Sequence, residues 1–172
     1  LEIASHVAND IFNDSNFPDL SGDLLINCLE SFKMPPGRGE ILSLTRFKII
    51  DDSYNANPES VKAALDHLSG FKEFRKFFVF GDMKELGANE EIFHKKIGQY
   101  AVEKADILFT VGKLAKNAQS NSNNFALSLH FNDNFSLLEK LNELLTDGDI
   151  VLIKGSRSMQ LDQLINELKN VK

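Results

Sequence analysis

From residue 40 onward, short apolar runs alternate with amphipathic helical segments, and no other feature narrows the possible folds of this chain so far. The apolar runs lie at 40–44, 47–50, 77–80, 107–111, 126–131 and 150–153 and read as strands. Between them, Asn57 can cap a helix with Pro58 at its first position, where proline's missing N–H costs nothing. Val61, Ala64, Leu65 and Leu68 would form its apolar stripe. Asn89 starts another helix, with Glu90 and Glu91 near its positive end. Ser136 and Glu139 fit a capping box ahead of a leucine-rich helix. A last helix follows Ser158, with Leu161, Leu164, Ile165 and Leu168 on one face, and a weaker one covers 114–119. Strands that alternate with helices imply right-handed βαβ units and a mostly parallel sheet covered on both faces. Only Thr45 and Arg46 separate the first two strands, so that pair is expected to be antiparallel. The expected fold is α/β: about six strands, mostly parallel, with one antiparallel edge strand, preceded by two helices.

Those two helices come from a different pattern. Ile3, Ala4, Val7, Ala8, Ile11 and Phe12 recur at helical spacing, and Ser21 can cap a second helix that carries Leu25, Cys28, Leu29 and Phe32. Pro35, Pro36 and Gly37 then break the pattern and mark a boundary. The expected division is a helical segment over 1–35 and an α/β domain over 36–172.

With 172 residues, 42% of them hydrophobic, the chain can bury about 70% of its unfolded surface and needs neither disulfide nor metal to fold. Cys28 stands alone, so no disulfide framework exists within the chain. A net charge of −6 gives no nucleic-acid footprint. No apolar run approaches the ~20 residues of a membrane span, and no basic-then-apolar signal is visible. A cytoplasmic setting is expected. The chain begins at Leu1 within a helical pattern, so it is expected to be part of a longer protein.

In open α/β sheets, ligands bind beyond the carboxyl ends of the strands. That rule selects four loops: 51–58, 81–87, Gly112-Lys113 and 154–158. In the first, Asp51 and Asp52 offer acceptors for a hydroxyl, a metal or an amine, and Asn55 and Asn57 carry donors and acceptors. In the last, Lys154, Arg157 and the amides near Ser158 suit a phosphate or carboxylate. Simpler roles stand beside these. Asn57 can serve only as a helix cap, one of the two aspartates can satisfy loop amides, and Lys154 with Arg157 can be a solvated pair. His94 reads as surface or structural, Cys28 as a small buried hydrophobe, and the 14 phenylalanines as core. No nucleophile elbow, phosphate loop or dinucleotide fingerprint is present.

Taken in order, the loops "DDSYNANPESVKAAL" (51–65), "GDMKELG" (81–87) and "KGSRSM" (154–159) resemble the carboxyl-terminal domain of the Mur ligases. "PPGRGE" (35–40) is similar to the segment that joins the family's central domain to its last. Any one motif is weak, but three at matching loops are specific. The resemblance implies a Rossmann-like domain that closes over an ATP site. It also implies ATP-dependent amide-bond formation through an acyl phosphate, in peptidoglycan-precursor and hence cell-wall synthesis. Within the family the wording is nearest the branch that joins D-alanyl-D-alanine to UDP-N-acetylmuramoyl-tripeptide. Carried over by position, Arg38, Asp52, Tyr54, Asn55 and Asn57 would contact ATP. Lys154, Ser156 and Arg157 would lie on the D-alanyl-D-alanine side, where a cation suits a carboxylate. No catalytic residue and no metal ligand is assigned to this chain. The phosphate loop, the Mg2+ ligands and the sugar-nucleotide domain are expected on amino-terminal and central domains outside it, so the chain alone is expected to be inactive.

Two rivals remain. One is a relative with another amino-acid or polyglutamate acceptor. The other is a receiver-like signalling module, because Asp51-Asp52, Asp82, Thr110 and Lys154 imitate that order of residues. Against it, Thr110 falls inside a strand, an extra strand-helix unit precedes Lys154, and Gly155 follows it in place of proline.

Overall fold

A computed structural model of the protein describes residues 35–170. The two expected amino-terminal helices, Cys28 and most of the 1–35 segment lie outside these residues. Among the described residues the order is β1 (Glu40–Ser43), β2 (Phe47–Asp52), α1 (Pro58–Ser69), β3 (Arg75–Gly81), α2 (Glu90–Ala101), β4 (Ile107–Val111), β5 (Leu127–Phe131), α3 (Asn134–Leu144), β6 (Asp149–Lys154) and α4 (Leu161–Asn170). The strands form one six-stranded sheet in the order β1-β2-β6-β3-β4-β5. Only β1 runs antiparallel, as the two-residue connection requires; β2, β6, β3, β4 and β5 pair in parallel.

Strand side chains alternate between two faces, and each face has its own core. Ile50, Phe78, Phe80, Leu108, Ile150 and Leu152 pack with α1, α2 and the segment after β4. Ile49, Phe77, Val79, Phe109, Val151 and Ile153 pack with α3 and α4. Burial on both sides explains why the central strands read as unbroken apolar runs. No helix among the described residues is long and apolar enough to cross a membrane.

The structure corrects several element boundaries. β2 runs on through Asp51 and Asp52, so the first candidate loop begins at Ser53. α3 does not start from a Ser136–Glu139 box. Asp133, two residues after β5, has the extended backbone of a cap, and its Oδ1 accepts the Ser136 N–H at 2.8 Å. α4 starts at Leu161, after a 3-10 turn over Arg157–Met159 and a left-handed Gln160 at φ 53°. The weak helix at 114–119 is instead 3-10 turn over Ala115–Asn124, kinked at Asn121. Asn89 precedes α2 but makes no side-chain cap, because a 3-10 turn over Gly87–Asn89 fixes its backbone near φ −103°. α1 begins as expected and gains a reciprocal box. Asn57 Oδ1 accepts the Ser60 N–H at 2.8 Å, and Ser60 Oγ accepts the Asn57 N–H at 3.1 Å.

Candidate functional site

The carboxyl ends of β2, β6 and β3 lie side by side, with Asp52 and Phe80 both in register with Lys154. Adjacent parallel strands in register point matched side chains to the same face. Lys154 Nζ therefore meets Asp52 and donates to its Oδ2 at 2.6 Å and to the Asn55 carbonyl at 3.0 Å. The lysine side chain is 2% exposed and that of Asp52 19%. Burial pushes the Lys154 ammonium below the ordinary lysine range. Its hydrogen bond to Asp52 opposes that pull, and the nearby Arg38 charge adds to it. Asp51 faces the other way and satisfies the turn, accepting from the Ser53 N–H at 3.2 Å and the Ser53 hydroxyl at 2.7 Å.

The segment before β1 is tied to the same strand end. The Tyr54 N–H donates to the Gly37 carbonyl at 3.0 Å, and the Gly39 N–H to the Asp51 carbonyl at 2.7 Å. Gly37 has φ 76°, and a Cβ there would sit 3.0 Å from the Tyr54 nitrogen, so glycine is required. This anchoring sets the Arg38 guanidinium over the Tyr54 ring, 4.4 Å from its centroid. Arg38, Asp52, Tyr54, Asn55, Asn57 and Lys154 line a cleft of about 200 Å³. The structure thus brings together the five residues expected on the ATP side, and adds Lys154 to them.

Ser156 and Arg157 line a larger cleft of about 550 Å³ whose wall is completed by Tyr54, Asn55, Asn57, Lys84 and Glu85. Ser156 is buried, accepts the Lys84 N–H on its Oγ at 2.8 Å and donates its own N–H to the Asp82 carbonyl at 2.9 Å. It welds the loop after β6 to the loop after β3. Arg157 is exposed and pairs with Asp162 at 3.1 Å. The anion site foreseen near Ser158 is not an α-helix start. The Met159 and Gln160 N–H groups close onto the Ser156 and Arg157 carbonyls within the 3-10 turn.

The loop after β3 and the helix α2 beside it add two buried polar groups, and the structural reading of His94 is the one the geometry supports. Asp82 is a buried bracket. Its Oδ1 accepts the Leu114 and Ala115 N–H groups at 2.9 and 2.8 Å, and its Oδ2 accepts from Lys84 Nζ at 2.8 Å. His94, also buried, accepts the Met83 N–H on Nε2 at 2.8 Å, while its Nδ1 lies 2.6 Å from the Glu90 carbonyl. That pairing fits a neutral ring protonated on Nδ1, and burial pushes the His94 pKa below the usual range. Gly81 and Gly87 marked this loop, but nothing local in the sequence singled out Lys84 or Glu85 within it.

A receiver-like reading does not survive this geometry. Asp82 is committed to loop amides and Lys84, Lys154 to Asp52, and Thr110 to His130 of β5 and to Gln119 of the 3-10 segment. Among the described residues, no group of three His, Cys, Asp or Glu side chains could hold a metal ion.

Comparison with known proteins agrees with this arrangement. Residues 37–157 match the family model described as Mur ligase, glutamate ligase domain. The UDP-N-acetylmuramoyl-tripeptide–D-alanyl-D-alanine ligase of Bacillus subtilis is 38% identical over 126 residues, 70% of this chain and 27% of that protein. The crystal structure of MurF ligase from Thermotoga maritima in complex with ADP superposes with a TM-score of 0.73 at 27% identity, covering 84% of this chain and 33% of that one. A MurF from Acinetobacter baumannii gives 0.78 at 26% identity, over 88% and 34%. The chain spans about a third or less of the length of these relatives.

Proposed function

The chain belongs to the Mur ligase family, and from that premise we propose that it is the carboxyl-terminal domain of a ligase that uses ATP to join D-alanyl-D-alanine to UDP-N-acetylmuramoyl-tripeptide. The observation that carries the reading is the cleft at the ends of β2 and β6. There a guanidinium stacked on an exposed aromatic ring stands beside a carboxylate that is fixed but still partly open. That donor set fits a nucleoside: a flat π-face and cation for the base, and an acceptor for ribose hydroxyls. ATP would supply the phosphoryl group that activates the peptide carboxylate.

The chain's own residues then have separable tasks. Arg38 and Tyr54 hold the nucleoside end. Asp52 accepts a hydroxyl and is itself oriented by Lys154. Asn55 and Asn57 form the wall shared with the larger cleft, where Ser156 and Arg157 face the incoming dipeptide. Closure of this domain would exclude water from an activated carboxylate. In this reading magnesium and the phosphates sit on the ligase's other domains. The UDP-linked substrate sets the work in the cytoplasm.

The test is ADP release by the whole protein, measured with UDP-N-acetylmuramoyl-tripeptide and varied acceptors. Release that depends on both the tripeptide and D-alanyl-D-alanine is expected, and the 172-residue chain alone should give none. Preference for free glutamate or a polyglutamate acceptor would refute the assigned acceptor.

A further inference from the structure

We propose that His94, buried on α2 outside both clefts, is a positioning residue: its neutral ring pins the loop after β3 in the form that walls the larger cleft, and protonation of the ring releases that loop. The inference rests on the ligase reading above and adds to it a residue that touches no substrate.

The ring is held between two backbone groups of opposite kind. Nε2 lies 2.8 Å from the Met83 nitrogen, which can only donate, and Nδ1 lies 2.6 Å from the Glu90 carbonyl, which can only accept. One tautomer of the neutral ring satisfies both, with its proton on Nδ1. A protonated ring carries an N–H on each nitrogen and would set one of them against the Met83 N–H, donor against donor. The ring is fully buried and packs on Phe80 with centroids 5.4 Å apart, so an imidazolium there would lack the water that normally hydrates it. Charging the ring and keeping the Met83 hydrogen bond are therefore incompatible.

The pinned residue sits where a small shift matters. Met83 is itself buried, between Asp82 and Lys84. Asp82 holds the Leu114 and Ala115 amides, and Lys84 donates its N–H to Ser156 Oγ. Lys84, Glu85, Leu86 and Ser156 all line the larger cleft. Movement at Met83 thus reaches the cleft wall one residue on, and the loop after β6 through Ser156.

The charges around the ring decide when release occurs. Burial pushes the ring toward its neutral form. The Glu90 carbonyl and the Asp82 and Glu90 carboxylates oppose this, and Lys84 reinforces it. Among the described residues, α1 and the 3-10 segment after β4 also pack on α2 but bring no charged group that acts on His94. Release therefore belongs to acid pH, below the ordinary histidine range.

The experiment is steady-state ADP release by the whole ligase at saturating UDP-N-acetylmuramoyl-tripeptide, with D-alanyl-D-alanine and ATP varied in turn. Wild type, His94→Gln and His94→Phe are compared from about pH 8 to about pH 5. Glutamine offers a non-titrating acceptor, Oε1, at about the reach of Nε2. Phenylalanine keeps a ring beside Phe80 but offers no acceptor. At the higher pH, His94→Phe is expected to raise KM for the dipeptide about tenfold with KM for ATP within about twofold, and His94→Gln to stay within about threefold of wild type for both. As pH falls, the ratio of kcat/KM for the dipeptide, His94→Gln over wild type, is expected to rise about threefold or more, because only the wild-type loop is released. Protonation of the acceptor amine affects both enzymes alike and cancels in that ratio. A folded His94→Phe with wild-type KM for the dipeptide, or with KM for ATP raised equally, overturns the positioning role. Should that variant not fold, His94→Gln decides alone: a ratio that stays flat across the pH range overturns the proposal. A wild-type protein with no dipeptide-dependent ADP release overturns the ligase reading, and this assignment with it.

Discussion

Replacing Asp52 with alanine tests whether Lys154 is a buried charge held by its partner. In Asp52→Ala the ammonium would stay enclosed and keep only the Asn55 carbonyl at 3.0 Å. Removing one member of a buried pair costs about 3–5 kcal/mol. Water can reach Asp52, which is 19% exposed, so the expected loss near neutral pH is about 2–3 kcal/mol. For a domain of this size that lowers Tm by roughly 5–10 °C. Asp52→Leu combined with Lys154→Met removes both charges and should recover most of the loss, since apolar replacement of a buried pair is often neutral. The pH dependence is more discriminating. Burial holds the Lys154 ammonium below its ordinary 10.5, so between its folded value and 10.5 the unfolded chain binds more protons than the folded one. Stability therefore rises with pH across that window. Without Asp52 the folded value drops further and the window widens downward. The deficit of Asp52→Ala against wild type must then shrink as pH rises. Urea unfolding followed by circular dichroism at about pH 7 and about pH 9.5 measures both values. A deficit under about 0.5 kcal/mol at the lower pH, or an equal deficit at both, refutes the reasoning.

Three further outcomes are expected. Gly98→Ala should destabilise by roughly 1–2 kcal/mol in urea although alanine is the better helix former by about 1 kcal/mol, because the new Cβ would drive into the Ala118 backbone; a stabilised variant contradicts the packing. His94 binds fewer protons folded than unfolded between its lowered value and 6.5, so stability falls as pH drops through that window. His94→Gln should flatten this acid limb of urea midpoint against pH, leaving the part due to His130, which is shifted the same way by burial; an unchanged limb argues against a neutral His94. Arg38→Ala in the whole ligase should raise KM for ATP about tenfold and leave the urea midpoint near wild type, since its contact is a surface stack on Tyr54; equal loss of folding would make Arg38 structural.

The sheet was legible because its central strands are buried on both faces and therefore read as continuous apolar runs, as with 107–111. The α1 start was legible because Asn57 and Pro58 satisfy local rules whatever packs against them. The errors fall where two local rules compete. Asp133 and Ser136 can each cap a helix, and what decides is that β5 ends at Phe131, a fact of sheet pairing rather than of local sequence. Lys84 and Glu85 were invisible for a similar reason. A backbone at φ 64° on glutamate, and a lysine N–H received by a serine 72 residues away, leave no trace in spacing or composition.

Lys154 shows how contiguity misleads at a strand end. Beside Ser156 and Arg157 in sequence, it reads as part of one cationic loop. The end of β6 separates it from them, for Lys154 is the last residue of the strand and Arg157 already belongs to a 3-10 turn. Ile150 and Leu152 face α1 and α2, as does Ile50 of β2, so Lys154 and Asp52 are the next residues of that same stripe. The pair closes the top of one core face, whereas Ser156 and Arg157 lie beyond Gly155 on the wall of the larger cleft. Gly155 lets the loop pack closely there, for a Cβ would sit 2.8 Å from Leu161 and 3.0 Å from the Gly81 backbone. The lysine that joins Arg157 on the wall of the larger cleft is therefore not the one next to it in sequence but Lys84, carried in from β3. The Asn55 carbonyl accepts from Lys154, and Asn55 lines both clefts. Loss of the buried pair should then disturb both clefts, whereas loss of Lys84 should disturb only the larger.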